Sequence, residues 1–166
     1  MLVQVEQLLQ ENKLCVLCTA GDGKPHCSLM TYMLSENQVL YMVVSIESKK
    51  YQNMMGNPHV SLLIDNRKGP SLGEQIISAV TLTGICQSVG PAELAKVKIK
   101  FTETYSELAE IINSPSSALF GVKLKSFLLL AGPVNSLGEI FSRLPSCFTK
   151  GGRYSILPIA IFGLDY

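Results

Sequence analysis

Two short runs of the sequence bring reactive or charged side chains together. The first is Val43-Val44-Ser45-Ile46-Glu47-Ser48-Lys49-Lys50, where an apolar run gives way to a hydroxyl and then to two adjacent ammonium groups. A serine opening a helix caps a backbone N–H or turns its hydroxyl to an anion, and the free N–H groups and dipole of the helix start favour negative charge. Lysines in a first turn oppose that dipole, a conflict that a bound phosphate removes. On adjacent helical positions they diverge by about 100°, so only one of them reaches such a ligand. The same residues equally suit an ordinary N-cap followed by two solvated lysines.

The second place is Cys15-Val16-Leu17-Cys18. A C-x-x-C pair does redox or metal chemistry where a turn or helix start brings its sulfurs together. This one lies in the apolar stretch 13–20, which reads as a buried strand ending at Gly21-Asp22-Gly23. Residues three apart on a strand face opposite sides and lie about 10 Å apart, beyond the ~7 Å reach of a disulfide. No second C-x-x-C or C-x-x-H completes a zinc site, so both cysteines are expected to be core thiols and no metal is expected.

Apolar periodicity outlines the helices and strands around these two runs. Val5, Leu8 and Leu9 form the stripe of a first helix ending near Asn12. Strands over 13–20, 25–34 and 39–46 follow, joined by connections short enough for antiparallel hairpins. A short helix over 49–55 stops at Gly56-Asn57-Pro58, and 59–65 is a fourth strand. After a polar loop at 66–74 comes a fifth strand over 79–89, with Gly84 as a bend. The spacing of Leu94, Val97, Phe101, Tyr105, Leu108 and Ile112 predicts one helix over 91–112. A sixth strand over 119–130 carries Phe120, Val122 and Leu124 on one side. Beyond Ala131 the pattern suggests a short helix at 137–144 and a strand at 154–162. The run 39–44 is apolar at both parities, as in a strand covered on both faces, within a barrel or under a partner subunit.

Composition narrows the function classes. The chain has 166 residues, enough for one self-sufficient core, and 47% of them are apolar, too many for disorder. Lys plus Arg number 14 against 13 Asp plus Glu, a net charge of +1 that argues against nucleic acid as a partner. Charged residues make up only 16%, which suggests burial against a second subunit. The most apolar stretch, 155–164, is interrupted by Pro158 and Gly163 and falls short of the ~20 residues that span a bilayer, so no membrane is expected. Five cysteines, an odd count, and an opening without a basic and apolar signal pattern point to reduced thiols and a cytoplasmic setting.

The order of these elements, with the Gly-Lys-Pro hairpin at 23–25, Ser28-Leu29-Met30-Thr31-Tyr32, Ser48-Lys49-Lys50-Tyr51-Gln52-Asn53-Met54 and Asn57-Pro58-His59-Val60-Ser61-Leu62, resembles the FMN-binding split barrel of the pyridoxamine 5′-phosphate oxidase-like superfamily. The run from Ser48 to Pro58 is similar to the S-x-K-x-x-N-hydrophobic-x-x-N-P motif of that group. The resemblance implies a mainly β fold with flanking helices, a six-stranded antiparallel split β-barrel that is dimeric. It covers 1–130 as the FMN-binding domain, leaving 131–166 as an extension packed on it. It further implies a homodimer with FMN at the subunit interface: Lys50 and Ser48 at the phosphate with Lys49 beside them, Ser28, Leu29, Met30 and Thr31 along the ring, and Val44 and Ser45 beside ribityl and ring. The family's glutamine on the fifth strand falls at Ala79, which leaves Thr81 as the flavin contact there. Pyridoxamine phosphate oxidases proper carry arginine and lysine where this chain has Ser28 and Met33, and a C-terminal motif with tryptophan, of which this chain has none.

These expectations describe an FMN-dependent oxidoreductase acting on a small molecule, the flavin supplying the redox chemistry and no side chain being named as a catalytic acid. A flavin-binding or storage protein without turnover uses the same phosphate seat. Haem handling, with His59 or His26 as axial ligand, is a third reading; His26 also lies where a substrate over the ring could be met, or is simply a surface residue.

Overall fold

The computed structural model describes residues 2–66, 78–131 and 135–140. Helix α1 (Leu2–Glu11) buries Val5, Leu8 and Leu9, the stripe read from the sequence. The chain then enters β1 (Leu14–Gly21) and turns through Asp22 and Gly23, both at positive φ (52° and 71°), into β2 (Lys24–Thr31). Two positive φ values are what a two-residue hairpin loop needs to match strand twist, and Asp-Gly supplies them at low cost. The register is continuous from Gly21 opposite Lys24 to Leu14 opposite Thr31.

The strand expected over 25–34 is broken at Tyr32 into β2 and a short β3 (Met33–Leu34). The cause is the burial of Tyr32, whose hydroxyl donates to the Leu9 carbonyl at 2.8 Å while its own carbonyl accepts from the Tyr105 hydroxyl at 2.6 Å. From β3 the chain returns as β4 (Val39–Ser45), then forms α2 (Lys49–Gly56), β5 (His59–Asp65), β6 (Ser78–Ser88), α3 (Pro91–Thr104), a 3-10 turn at Ser106–Leu108, α4 (Ala109–Asn113), β7 (Ser117–Ala131) and β8 (Asn135–Ile140). The expected loop from residue 67 onward and the strand expected at 154–162 lie outside the described residues.

All strand pairs are antiparallel, in the order β2-β1-β5-β6-β7-β4-β3. The two ends of this path, β2 and β3, are consecutive in the chain with only Tyr32 between them. A sheet whose terminal strands are so tethered must curl back on itself, and the result is a half-barrel flanked by helices. Seven strands follow the path and β8 pairs with β7, so the expected count of six is corrected upward. The extra pairing arises because β7 runs 15 residues: its first part, 117–123, takes β4, and the same edge from Ser126 to Ala131 takes β8. The short helix expected at 137–144 is therefore a strand over its described part.

The barrel interior is filled by alternate residues, among them Leu17, Leu40, Met42, Leu62, Ile64, Val80, Leu82 and Val122, all fully buried. At Gly84 the β6–β7 register shifts, Thr83 facing Ser126 and Gly84 facing Leu124, so Lys125 is an extra residue. The inward parity of β7 accordingly changes from Phe120 and Val122 to Phe127 and Leu129. The second apolar face of β4 is covered by this same chain: Tyr41 and Val43 pack with Val97, Phe101, Tyr105 and Ile112. The helix expected over 91–112 carries the predicted apolar face but breaks at Tyr105, at φ −136° and ψ 70°, where the hydroxyl reaches into the barrel to Tyr32. Among the described residues no helix is long and apolar enough to cross a membrane.

Candidate functional site

The start of α2 is built from the residues singled out in the sequence. Ser48 is the N-cap: its hydroxyl accepts from the Tyr51 amide at 3.4 Å and donates to the Ser45 carbonyl at 2.7 Å. The helix is held against the barrel from below. Asn53 is buried, its side-chain N–H donating to the Thr19 hydroxyl at 3.1 Å, and Met54 is in the core. Tyr51 meets Phe120 edge to face with ring centroids 5.9 Å apart. Gly21 lets Asn53 come this close, since a Cβ there would collide with the Asn53 carboxamide. The eight-residue helix thus touches β1, β2 and β4 at once and brings Ser48, Lys49 and Lys50 to the end of β4, where Val44 is buried and Ser45 is exposed opposite Ser117.

The two lysines part company as helical geometry requires. Lys49 faces a cleft of about 350 Å³ walled by Gly21, Asp22, Gln52 and Asn53, and its Nζ lies 3.9 Å from Asp22. That pair is largely exposed and contributes little to stability. Lys50 is half-buried, and among the described residues no carboxylate lies within ion-pairing distance of it. The amide groups of Lys49 and Lys50 themselves have no hydrogen-bond partner among the described residues. Lys50, with no carboxylate partner among the described residues, and two N–H groups unpaired among them therefore belong to one helix start, which is chemistry suited to an anion.

The remaining predicted residues lie on two sides of the sheet. On β2, Met30 is buried inward and Ser28 is half-buried, while Leu29 points outward at 69% exposure and Thr31 is half-buried. β2 ends the strand path, so one of its backbone edges carries no ladder among the described residues. Thr81 shares the outer face with Leu29, but across Val16 and Leu63, three strand spacings or about 14 Å away.

A family model described as pyridoxamine 5′-phosphate oxidase matches residues 1–130. The chain belongs to that family. No curated protein matches the sequence. Among solved structures, a heme binding protein from Mycobacterium smegmatis is similar with a TM-score of 0.72 at 18% identity, over 80% of this chain and 55% of that one. The present chain thus spans about half of that protein's length. HutZ, a heme storage protein from Vibrio cholerae, has a TM-score of 0.66 at 18% identity, covering 78% of this chain and 92% of its own. A FAD-binding protein from Mesorhizobium loti has a TM-score of 0.63 at 20% identity, over 78% of this chain and 91% of that one. At such identities these neighbours establish the fold shared within the pyridoxamine 5′-phosphate oxidase family.

Two features of this family member were not anticipated from its sequence. Cys15 is a core thiol, pushed up to about 12 by burial and then by Cys18, but Cys18 is not: it lies half-buried on the outer face, 3.2 Å from the Cys27 sulfur on β2. Strand alternation separates Cys15 from Cys18 as expected, and the same alternation is what takes Cys18 out of the core. Burial, then the hydrogen bond and charge of Cys27, push Cys18 up to about 11. The second feature is the buried Thr19–Asn53 pair. Its signal was present, since Asn53 stands in the motif run and is polar in the middle of a helix. His26 is half-buried with Nδ1 3.1 Å from the Cys27 carbonyl, and His59 is exposed. No group of three or more potential metal ligands lies together among the described residues.

Proposed function

We propose that this chain is an FMN-binding flavoprotein that works as a cytoplasmic homodimeric oxidoreductase on a small-molecule substrate. The observation that carries the reading is the half-buried Lys50 at a capped helix start, where among the described residues neither its charge nor the first two helix amides have a partner. Asp22 already faces Lys49, so Lys50 is the group that neutralises the FMN phosphate and Lys49 assists from the hairpin side. Ser48 serves first as the cap, and its hydroxyl meets the phosphate only by leaving the Ser45 carbonyl. The edge of β2 that carries no ladder among the described residues offers backbone groups of Ser28 to Thr31 to the ring, and Val44 and Ser45 stand where β4 gives way to α2. When bound, FMN supplies two-electron redox chemistry, while this chain binds it and orients it.

Support for the dimer comes from the outer face. Leu29 and Leu128 are 69% and 46% exposed there, in line with Val16, Leu63 and Thr81, and Leu130, 43% exposed, stands in the neighbouring row opposite Ala79. A second copy on this face covers the apolar row and puts Thr81 at a subunit boundary. The free thiols Cys15, Cys18, Cys27 and Cys86 suit a reducing compartment. Pyridoxamine phosphate itself is not the proposed substrate, because Ser28 and Met33 replace the basic pair of strand two and the chain has no tryptophan.

The test is to purify the protein without added cofactor, record its visible spectrum and identify the chromophore by mass, then titrate FMN by fluorescence. Stoichiometric FMN is expected, and Lys50→Ala should weaken binding by about tenfold or more, the loss of one charge-assisted hydrogen bond, with Lys24→Ala unchanged. Equal affinities in the two variants would overturn the assignment of Lys50. Turnover with NADH or NADPH and an acceptor separates an enzyme from a storage protein. A second reading, haem handling, has its own support in two similar structures named for haem. It predicts a Soret band that disappears in His59→Ala or His26→Ala.

A further inference from the structure

We propose that Cys18 and Cys27 are a redox modification site: a dithiol on the outer face of the β1–β2 hairpin that closes reversibly to a disulfide. The two residues are direct cross-strand partners with their sulfurs 3.2 Å apart, a contact between thiols rather than a bond. Facing residues in an antiparallel pair have Cα atoms about 4.5–5.5 Å apart, inside the ~4.4–6.8 Å window of disulfides, so closure needs side-chain rotation rather than backbone movement. The Asp22-Gly23 turn fixes the register, which keeps the sulfurs opposed. Access is selective. Cys27 is exposed and Cys18 half-buried, whereas Cys15 and Cys86 are buried. The pair belongs to a row continued by Ser61, Thr83 and Ser126, polar and bordering the apolar row on which the second copy is placed. The site rests on hairpin geometry and does not depend on FMN.

The oxidant is a low-molecular-weight disulfide, RSSR. The Cys27 thiolate attacks one of its sulfurs, forming a Cys27–SR mixed disulfide and releasing RS⁻, which takes up a proton. The Cys18 thiolate then attacks the Cys27 sulfur, the Cys18–Cys27 bond forms, and the second RS⁻ leaves and is protonated. Two protein thiols are oxidised, RSSR is reduced to two RSH, and the two protons lost by the cysteines reside on the two products.

The test equilibrates the full-length, fully reduced protein with mixtures of reduced and oxidised glutathione, quenches with N-ethylmaleimide and maps each cysteine by mass. The expected result is that Cys18 and Cys27 lose alkylation together in one transition, the product being lighter by two hydrogens and carrying no glutathione, with dithiothreitol restoring both. In Cys18→Ser, Cys27 should instead accumulate the glutathione adduct. Continued alkylation of both thiols at the most oxidising ratio, a stable glutathione adduct on the wild-type chain, or a covalent dimer through Cys27 would each overturn the proposal.

Discussion

Cys15 holds its proton longer in the folded chain than in the unfolded one, because burial penalises the thiolate and raises the thiol from an ordinary value of 9.0 to about 12. A group raised in this way contributes stability that is complete below its unfolded value and is lost as pH climbs through the folded one. Unfolding free energy should therefore fall between pH 9 and about 12, with Cys18, raised to about 11, adding a smaller and solvent-screened share. Tyr32 and Tyr105, also raised by burial, steepen the upper end. Denaturant melts across this range check the sign: Cys15→Ala should be less stable than the parent at pH 7 yet lose less on going to high pH. An unchanged alkaline slope in Cys15→Ala would remove Cys15 from the account.

At the scale of elements, the site depends on how α2 is seated on β1. The Asn53 side chain satisfies Thr19 and occupies the space that a Cβ on Gly21 would need. Asn53→Ala should cost about 1–3 kcal/mol by leaving a buried polar pair broken, and Gly21→Ala a similar amount through overpacking. Combined, they should cost less than the sum, because the truncated Asn53 makes room for the added methyl. Urea denaturation of the three variants measures this coupling, and strict additivity would mean that the contact is relieved elsewhere. Much of this level was legible beforehand: the α1 stripe, the Asp-Gly hairpin, the capped α2 and the bend at Gly84 each follow from residues within a few positions of one another. Even the Cys18–Cys27 pairing was available in principle, since the two lie equidistant from a two-residue turn. The strand break at Tyr32 and the helix break at Tyr105 were not, because the hydrogen bond that joins them spans 73 positions.

For the whole molecule, the decisive surface is the outer face of the curled sheet. An exposed apolar row running from Leu29 on the edge strand to Leu128 on β7 is costly in water and suits a self-complementary interface. If the proposed dimer forms on this face, Leu128→Glu should convert it to a monomer in light scattering at matched concentration and weaken the proposed FMN binding, because the site is proposed to be completed by the second copy. A parent protein that is already monomeric at high concentration would sink the interface. Local periodicity, capping and turn chemistry were enough to set the mainly β character, the order of the main elements, the capped helix bearing Lys49 and Lys50, and the family motif. Long-range packing set the seventh and eighth strands, the self-covering of β4 by α3, the Thr19–Asn53 lock and which lysine lacks a carboxylate partner among the described residues. Those outcomes are set by which distant segments compete for the same sheet edge, face or counter-charge, and such competition leaves no trace within a short window of residues.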